Sequence, residues 1–102
     1  MHPLAPRAVR DRAARMLRAA GDVERLALLE HLAAGERCVS ELVALTGDAM
    51  PTVSQRLKQL RTEGLLASRR EGKHVFYALA DEHVRTLVHD ILQHAAEGLV
   101  LR

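Results

Sequence analysis

From residue 40 to residue 79 the sequence sets two helical patterns either side of Gly47 and follows them directly with two strand patterns either side of Gly72. That order constrains the fold more than any other feature of the chain. Ser40 reads as the N-cap of a very short helix containing Leu42, Val43 and Leu45, which Thr46 and Gly47 end. Asp48 reads as the cap of the next helix, with Pro51 in the first turn, where its missing N–H costs little. Two helices joined by a tight glycine turn make a helix-turn-helix, here over about residues 40–63. In its second helix Val53, Leu57 and Leu60 face inward at i, i+4 and i+7. Thr52, Ser54, Gln55, Arg56 and Gln59 are then left outward, with side chains that can hydrogen-bond base edges and phosphates.

The strand patterns run from Leu66 to Arg70 and from Lys73 to Leu79, with Val75, Tyr77 and Leu79 on one face and Glu71 and Gly72 between the runs. Gly72 supplies the positive φ that a tight hairpin requires. Arg69, Arg70, Lys73 and His74 gather around the tip. A basic β-ribbon placed directly after a helix-turn-helix forms a wing, over about residues 66–79, that can lie against a flanking groove or the phosphate backbone. The pattern predicts a mainly α chain with a β-hairpin wing, a winged helix-turn-helix, whose partner is DNA.

The segment before this is also helical. Pro6 suits a first turn, and Val9, Ala13, Met16, Leu17 and Ala20 follow at helical spacing until Gly21. This helix carries Arg7, Arg10, Arg12, Arg15 and Arg18, which face solvent, DNA phosphate or a dimer partner. Asp22 then caps a helix whose buried stripe is read as Val23, Leu26, Leu29 and Leu32, with Gly35 at its end. One hundred and two residues make a single domain, small enough that a dimer interface adds useful burial. Aromatic residues are only 2%, so Leu, Val and Ala must supply the core. The single cysteine, Cys38, excludes an internal disulfide, suits a reducing compartment and reads as a core residue. With no long apolar run and no signal-peptide pattern, the expectation is a soluble cytoplasmic protein without a membrane partner.

The formal charge of +2 hides a basic body beside an acidic final segment that carries Asp81, Glu82, Asp90 and Glu97, an arrangement suited to a polyanion and a cation as partners. That segment, about residues 81–97, is a helical pattern with Val84, Leu87, Val88, Ile91, Leu92 and Ala95 on one face. On an adjoining face His83, His94 and Glu97 fall within about 60° of one another. His83 and His94 stand eleven positions apart, roughly 16 Å along the axis, so one helix cannot close a metal site around them. An antiparallel second copy brings Asp81 and His83 of one chain beside His94 and Glu97 of the other, giving two nitrogen- and oxygen-type sites per homodimer. Asp90 lies on the same stripe and is a possible further ligand or hydrogen-bond partner; His89 points elsewhere. His31 reads as a helix-surface residue and His74 as part of the wing.

From Arg37 to Glu97 the chain resembles the ArsR/SmtB family of bacterial metal-responsive winged-helix repressors. The motifs that carry the resemblance are CVSEL, MPTVSQRLKQLRTEGLL, the REGKHVFYAL wing and the terminal DEH with HAAE. The resemblance to the zinc-sensing branch implies intersubunit sites built from Asp81, His83, His94 and Glu97, the set that spacing selects independently. It further implies an apo dimer on a palindromic operator, release on metal binding, and control of metal export or sequestration genes. Arsenic and lead sensors resemble CVCDL where this chain has CVSEL; with Ser40 at the second thiol position, a soft thiolate site cannot form from one chain. In nickel sensors of the family an N-terminal histidine completes a six-coordinate site, which makes His2 relevant and keeps nickel or cobalt beside zinc.

Two His nitrogens and two carboxylate oxygens suit tetrahedral Zn²⁺, and a filled shell differs from a catalytic site, which keeps an open position. No paired nucleophile and base and no glycine-rich phosphate loop is present, so neither an enzyme nor an organic small-molecule substrate is expected. The alternatives are a winged-helix repressor answering another effector, and a metal-buffering protein.

Overall fold

The computed structural model describes residues 3–99, so His2 and residues 100–102 lie outside the described part. The element order is α1 (Arg7–Ala20), α2 (Val23–Ala33), β1 (Arg37–Cys38), α3 (Val39–Thr46), α4 (Met50–Thr62), β2 (Leu66–Glu71), β3 (His74–Leu79) and α5 (Glu82–Glu97). The strands form one antiparallel sheet in the order β1-β3-β2.

Pro6 lies just outside α1, and its carbonyl accepts the N–H groups of Val9 and Arg10 at 3.0 and 3.1 Å. Asp22 caps α2 as expected, accepting the Arg25 N–H at 3.0 Å, and that bond holds its carboxyl below the usual range. The Arg25 guanidinium folds back onto the open end of α1, donating to the carbonyls of Ala19 at 2.5 Å and Arg18 at 3.3 Å. Carbonyls in the last turn of a helix lack internal partners, so this arginine joins the two helices through groups that α1 leaves unsatisfied.

The core is a single cluster built on leucine. Leu28, Leu29 and Leu32 of α2, Leu42 of α3 and Val53, Leu57 and Leu60 of α4 are completely buried, and Leu65, Leu66, Leu79, Val84 and Val88 pack around them. The inward face of α4 matches the sequence reading. That of α2 does not: Val23 is 78% exposed and Leu28 is buried in its stead. Val23 is nine residues from Leu32, about half a turn round the helix, and the two cannot share a face. On α1, Ala19 is buried and Met16 and Ala20 pack on the core, whereas Val9 and Leu17 of the expected apolar side are exposed.

Two caps differ from expectation for identifiable reasons. Residues 37 and 38 pair with Tyr77 and Phe76 of β3, so the extended backbone lasts until Cys38, and Cys38 rather than Ser40 is the N-cap of α3. Its N–H donates to Glu41 Oε1 at 3.0 Å, which keeps the Glu41 carboxyl below the usual range. The N-cap of α4 is Ala49 and not Asp48, whose carboxylate is instead drawn to the Arg56 guanidinium at 2.8 Å. Pro51 occupies the first turn as read. Between the two helices Gly47 adopts φ +75°, the left-handed conformation that lets the chain turn tightly.

In the hairpin, pairing from Leu66 with Leu79 to Glu71 with His74 moves the turn by one residue, to Gly72 and Lys73. Gly72 has φ +60° at the first central position of this two-residue loop, as a type II′ turn demands. Asp81 then caps α5, accepting the Val84 N–H at 3.0 Å. The N-terminal half of α5 is anchored, since Val84 and Val88 are buried and Arg85 donates to the Ala33 carbonyl at the end of α2. From residue 93 to residue 99 every residue is exposed. No helix among the described residues is long and apolar enough to cross a membrane.

Candidate DNA-binding surface and metal-ligating pairs

Helix α4 presents Thr52, Gln55 and Gln59 to solvent, while Ser54 and Arg56 are half-buried. Arg56 is committed to Asp48 within the protein. Gln59 Oε1 accepts a bond from Arg25 Nη1 at 3.4 Å, which steadies the side chain while leaving its amide nitrogen free to donate. The wing residues divide similarly. Arg69 is bound by both oxygens of Glu36 at 2.9 and 2.6 Å and by Glu71 at 2.6 Å, and its guanidinium lies 4.6 Å from the centre of the Phe76 ring. These bonds raise the Arg69 pKa and hold the Glu36 carboxyl below its usual range. Arg69 therefore ties the wing to the segment before β1. Arg70, Lys73 and His74 are exposed near the hairpin tip, and the His74 ring stands edge-on to Phe76 at 6.3 Å.

Alongside α4 is an open cleft of about 630 Å³, walled on the other side by Arg15 and Arg18 of α1. Lys58 of α4 lines it; the sequence places Lys58 in the basic body, with Arg56, Arg61, Arg69, Arg70 and Lys73, but not among the expected DNA contacts. A helical wheel shows Lys58 about 60° from Gln55, so its outward position was readable. The inward turn of Arg25 had no comparable signal.

At the two ends of α5 are two donor pairs. His83 Nδ1 lies 3.8 Å from Asp81 Oδ1, and His94 Nδ1 lies 3.9 Å from Glu97 Oε2. All four side chains are more than half exposed, with His83 at 99% and His94 at 83%. Within one chain the pairs remain apart, and among the described residues no group of three or more His, Cys, Asp or Glu side chains converges on a point where a metal would sit. The apolar residues between them split into two faces: Val84, Val88 and Leu92 pack on the chain's own core, while Leu87 and Ile91 are 44% and 51% exposed. Asp90 is exposed, and His89 borders a shallow cleft against Ala33 and Glu30. Cys38 is buried with its sulfur 3.1 Å from Ser40 Oγ.

The family model described as bacterial regulatory protein, arsR family, matches residues 22–68. Over 95 residues the chain is 39% identical to the HTH-type transcriptional repressor SmtB of Mycobacterium tuberculosis, covering 93% of this chain and 70% of that protein. The chain belongs to the ArsR family. The chain is also similar to the Staphylococcus aureus cadmium resistance transcriptional regulatory protein CadC homolog, 38% identical over 63 residues, or 62% of this chain and 52% of that protein. Among solved structures, the homodimeric winged helix-turn-helix DNA-binding domain of Mb0332 from Mycobacterium bovis, a possible ArsR-family regulator, superposes with a TM-score of 0.87 at 35% identity. The match covers 98% of this chain and 94% of that one. This ArsR-family chain therefore has the winged helix-turn-helix fold of a transcriptional regulator rather than an enzyme.

Proposed function

We propose that the chain acts as a homodimeric, metal-responsive repressor in which Zn²⁺ joins the terminal helices of two protomers. The observation that carries this reading is the placement of two exposed imidazole–carboxylate pairs at opposite ends of α5, with Leu87 and Ile91 exposed between them. An antiparallel partner helix over that apolar face would set Asp81 and His83 of each protomer against His94 and Glu97 of the other. The donors fit the metal: two neutral imidazole nitrogens and two carboxylate oxygens complete a tetrahedral zinc shell. Asp81 commits Oδ1 to the cap of α5, while Oδ2 has no hydrogen bond among the described residues. With Cys38 the sole thiol, the same chain is poorly equipped for a soft metal that prefers several thiolates.

When bound, the metal supplies a bridge between helices that favours one dimer geometry over others. The chain's own residues do the rest. Arg85 fastens α5 to the end of α2, and α2 packs against α4, so a shift of α5 relative to its partner alters the spacing of the two recognition helices. Metal and DNA then oppose each other reciprocally, typically with about 1–3 kcal/mol of coupling, or about 5- to 150-fold in operator affinity. Genes for metal export or sequestration are the fitting targets of such control.

The test uses a fluorescent palindromic duplex selected by the protein from random DNA. Zinc is titrated into the complex with the wild type and with His94→Ala, with nickel and cobalt in parallel. Wild type should release DNA at about two metals per dimer, one per intersubunit site, while the variant stays bound. Release of the variant by zinc at wild-type concentrations would exclude His94 from the responsive site.

A further inference from the structure

The cleft between α1 and α4 has a composition that the recognition helix alone does not explain. Arg15, Arg18, Arg25 and Lys58 face it against a single carboxylate, Glu63. Glu63 is already engaged by Arg15 at 3.6 Å. Arg25 is fixed in direction by the Ala19 and Arg18 carbonyls and by Gln59. Arg18 and Lys58, from opposite walls, are lining cations with no ion pair among the described residues. The cleft is also continuous with the outward face of α4, since Gln55 and Gln59 belong to both.

This deepens the DNA-binding reading of α4 and rests on it. We propose that the α1–α4 cleft seats a phosphate of the DNA backbone, with Arg18 and Lys58 as its two charge contacts and Gln59 as a positioning donor. Residues near the start of a recognition helix meet base edges, and a strand leaving the groove passes along the later turns of that helix. Those later turns, from Gln55 to Glu63, form one wall of the cleft. Lysine and arginine meet backbone phosphate through charge irrespective of sequence. The cleft therefore adds affinity and fixes the angle of α4, while base choice stays with Thr52 and Gln55. An excess of fixed cations is the chemistry a phosphate monoanion requires, whether it comes from DNA or from free phosphate, and continuity with α4 selects DNA.

The test measures the salt dependence of binding to a fluorescein-labelled duplex of mixed sequence. It compares wild type, Arg18→Ala/Lys58→Ala, and Arg7→Ala/Arg10→Ala, which removes the same formal charge from the far end of α1. All the altered residues are exposed, and circular dichroism checks that each variant folds. The expected result is a log K against log salt slope reduced by about 0.9 for each phosphate lost from a cleft in the first variant, with the second close to wild type. Equal slopes in all three proteins, or equal losses in both variants, overturn the proposal. A second arm titrates inorganic phosphate at constant ionic strength into DNA-free protein and follows the Arg18 and Lys58 side chains by NMR. Saturable shifts there, with the DNA slope unchanged by the cleft variant, identify a small-anion site and also overturn the backbone seat. A wild type that binds no duplex at all would instead remove the DNA-binding reading of α4 itself.

Discussion

Asp81 holds two roles that one pair of substitutions can separate. As a cap it accepts the Val84 N–H at 3.0 Å, and as a proposed ligand it stands beside His83. Replacing an N-cap aspartate by alanine typically costs about 1 kcal/mol within a range of about 0.5–2. The Asp81 side chain is 56% exposed, so water can replace part of the lost bond and a value near 1 is expected. For a chain of this length, an unfolding entropy of about 2.1 cal/mol/K per residue converts 1 kcal/mol into about 5 °C of melting temperature. Asp81→Ala should therefore melt about 5 °C below wild type, measured in chelator at fixed protein concentration because a dimer's melting point depends on it. Asp81→Ser keeps a capping hydroxyl and should melt within about 1–2 °C of wild type. Both variants lose the carboxylate and should bind zinc at least about 10- to 100-fold more weakly, since even outer-shell changes cost that much. A competition titration against a chromophoric chelator reads this directly. Wild-type zinc affinity in Asp81→Ser would remove Asp81 from the ligand set, and a wild-type melt for Asp81→Ala would refute the energetic account of the cap.

Three further outcomes follow from the charged side chains. Arg56→Ala should lower stability by about 0.5–1 kcal/mol through loss of the Asp48 pair and change the salt slope of DNA binding little. Arg70→Ala, from an exposed wing residue, should lower that slope by about 0.9 per phosphate contact; the reverse ranking would show that Arg56 leaves Asp48 to reach DNA. Arg69 holds the folded Glu36 carboxyl below its usual value of 4.5, so the folded chain takes up that proton less readily than the unfolded one. The resulting stabilisation is fully present above about pH 5 and is lost as pH falls through the lowered folded value. Amide protection in β2, corrected for the intrinsic pH dependence of exchange, should fall in that acidic window for wild type and lose the step in Glu36→Gln. Identical acid profiles for the two proteins would dissociate Glu36 from wing docking.

The order of elements was readable because periodicity changes sharply along the chain. Val53, Leu57 and Leu60 recur at helical spacing and are buried together, and Gly47 and Gly72 mark turns that need positive φ. What escaped the sequence depends on partners distant along it. The two-residue strand at Arg37 and Cys38 exists only because β3 offers it Tyr77 and Phe76, and that pairing takes the cap of α3 away from Ser40. Asp48 has the composition of a cap, but an arginine eight residues later competes for its carboxylate. Arg69 read as a free wing cation because Glu36, its strongest partner, lies thirty-three residues earlier. For the proposed metal site, spacing exposed the need for two helices, and the structure adds the pairing of each imidazole with its neighbouring carboxylate. Local pattern specifies backbone well; it specifies charge partners only when they are neighbours in sequence.

Helix α5 is clamped at its start by the Asp81 cap, two buried valines and Arg85, and is bare of cover from residue 93 onward. It is thus a cantilever, with His83 near the fixed end and His94 and Glu97 on the overhang. In an antiparallel pair each proposed site would join one protomer's support to the other's free arm. The energetic cost of closing such a site falls on ordering the arm. A substitution on the overhang such as Gln93→Ala, away from the apolar face, would then tune metal affinity through helix stiffness, with every ligand left in place.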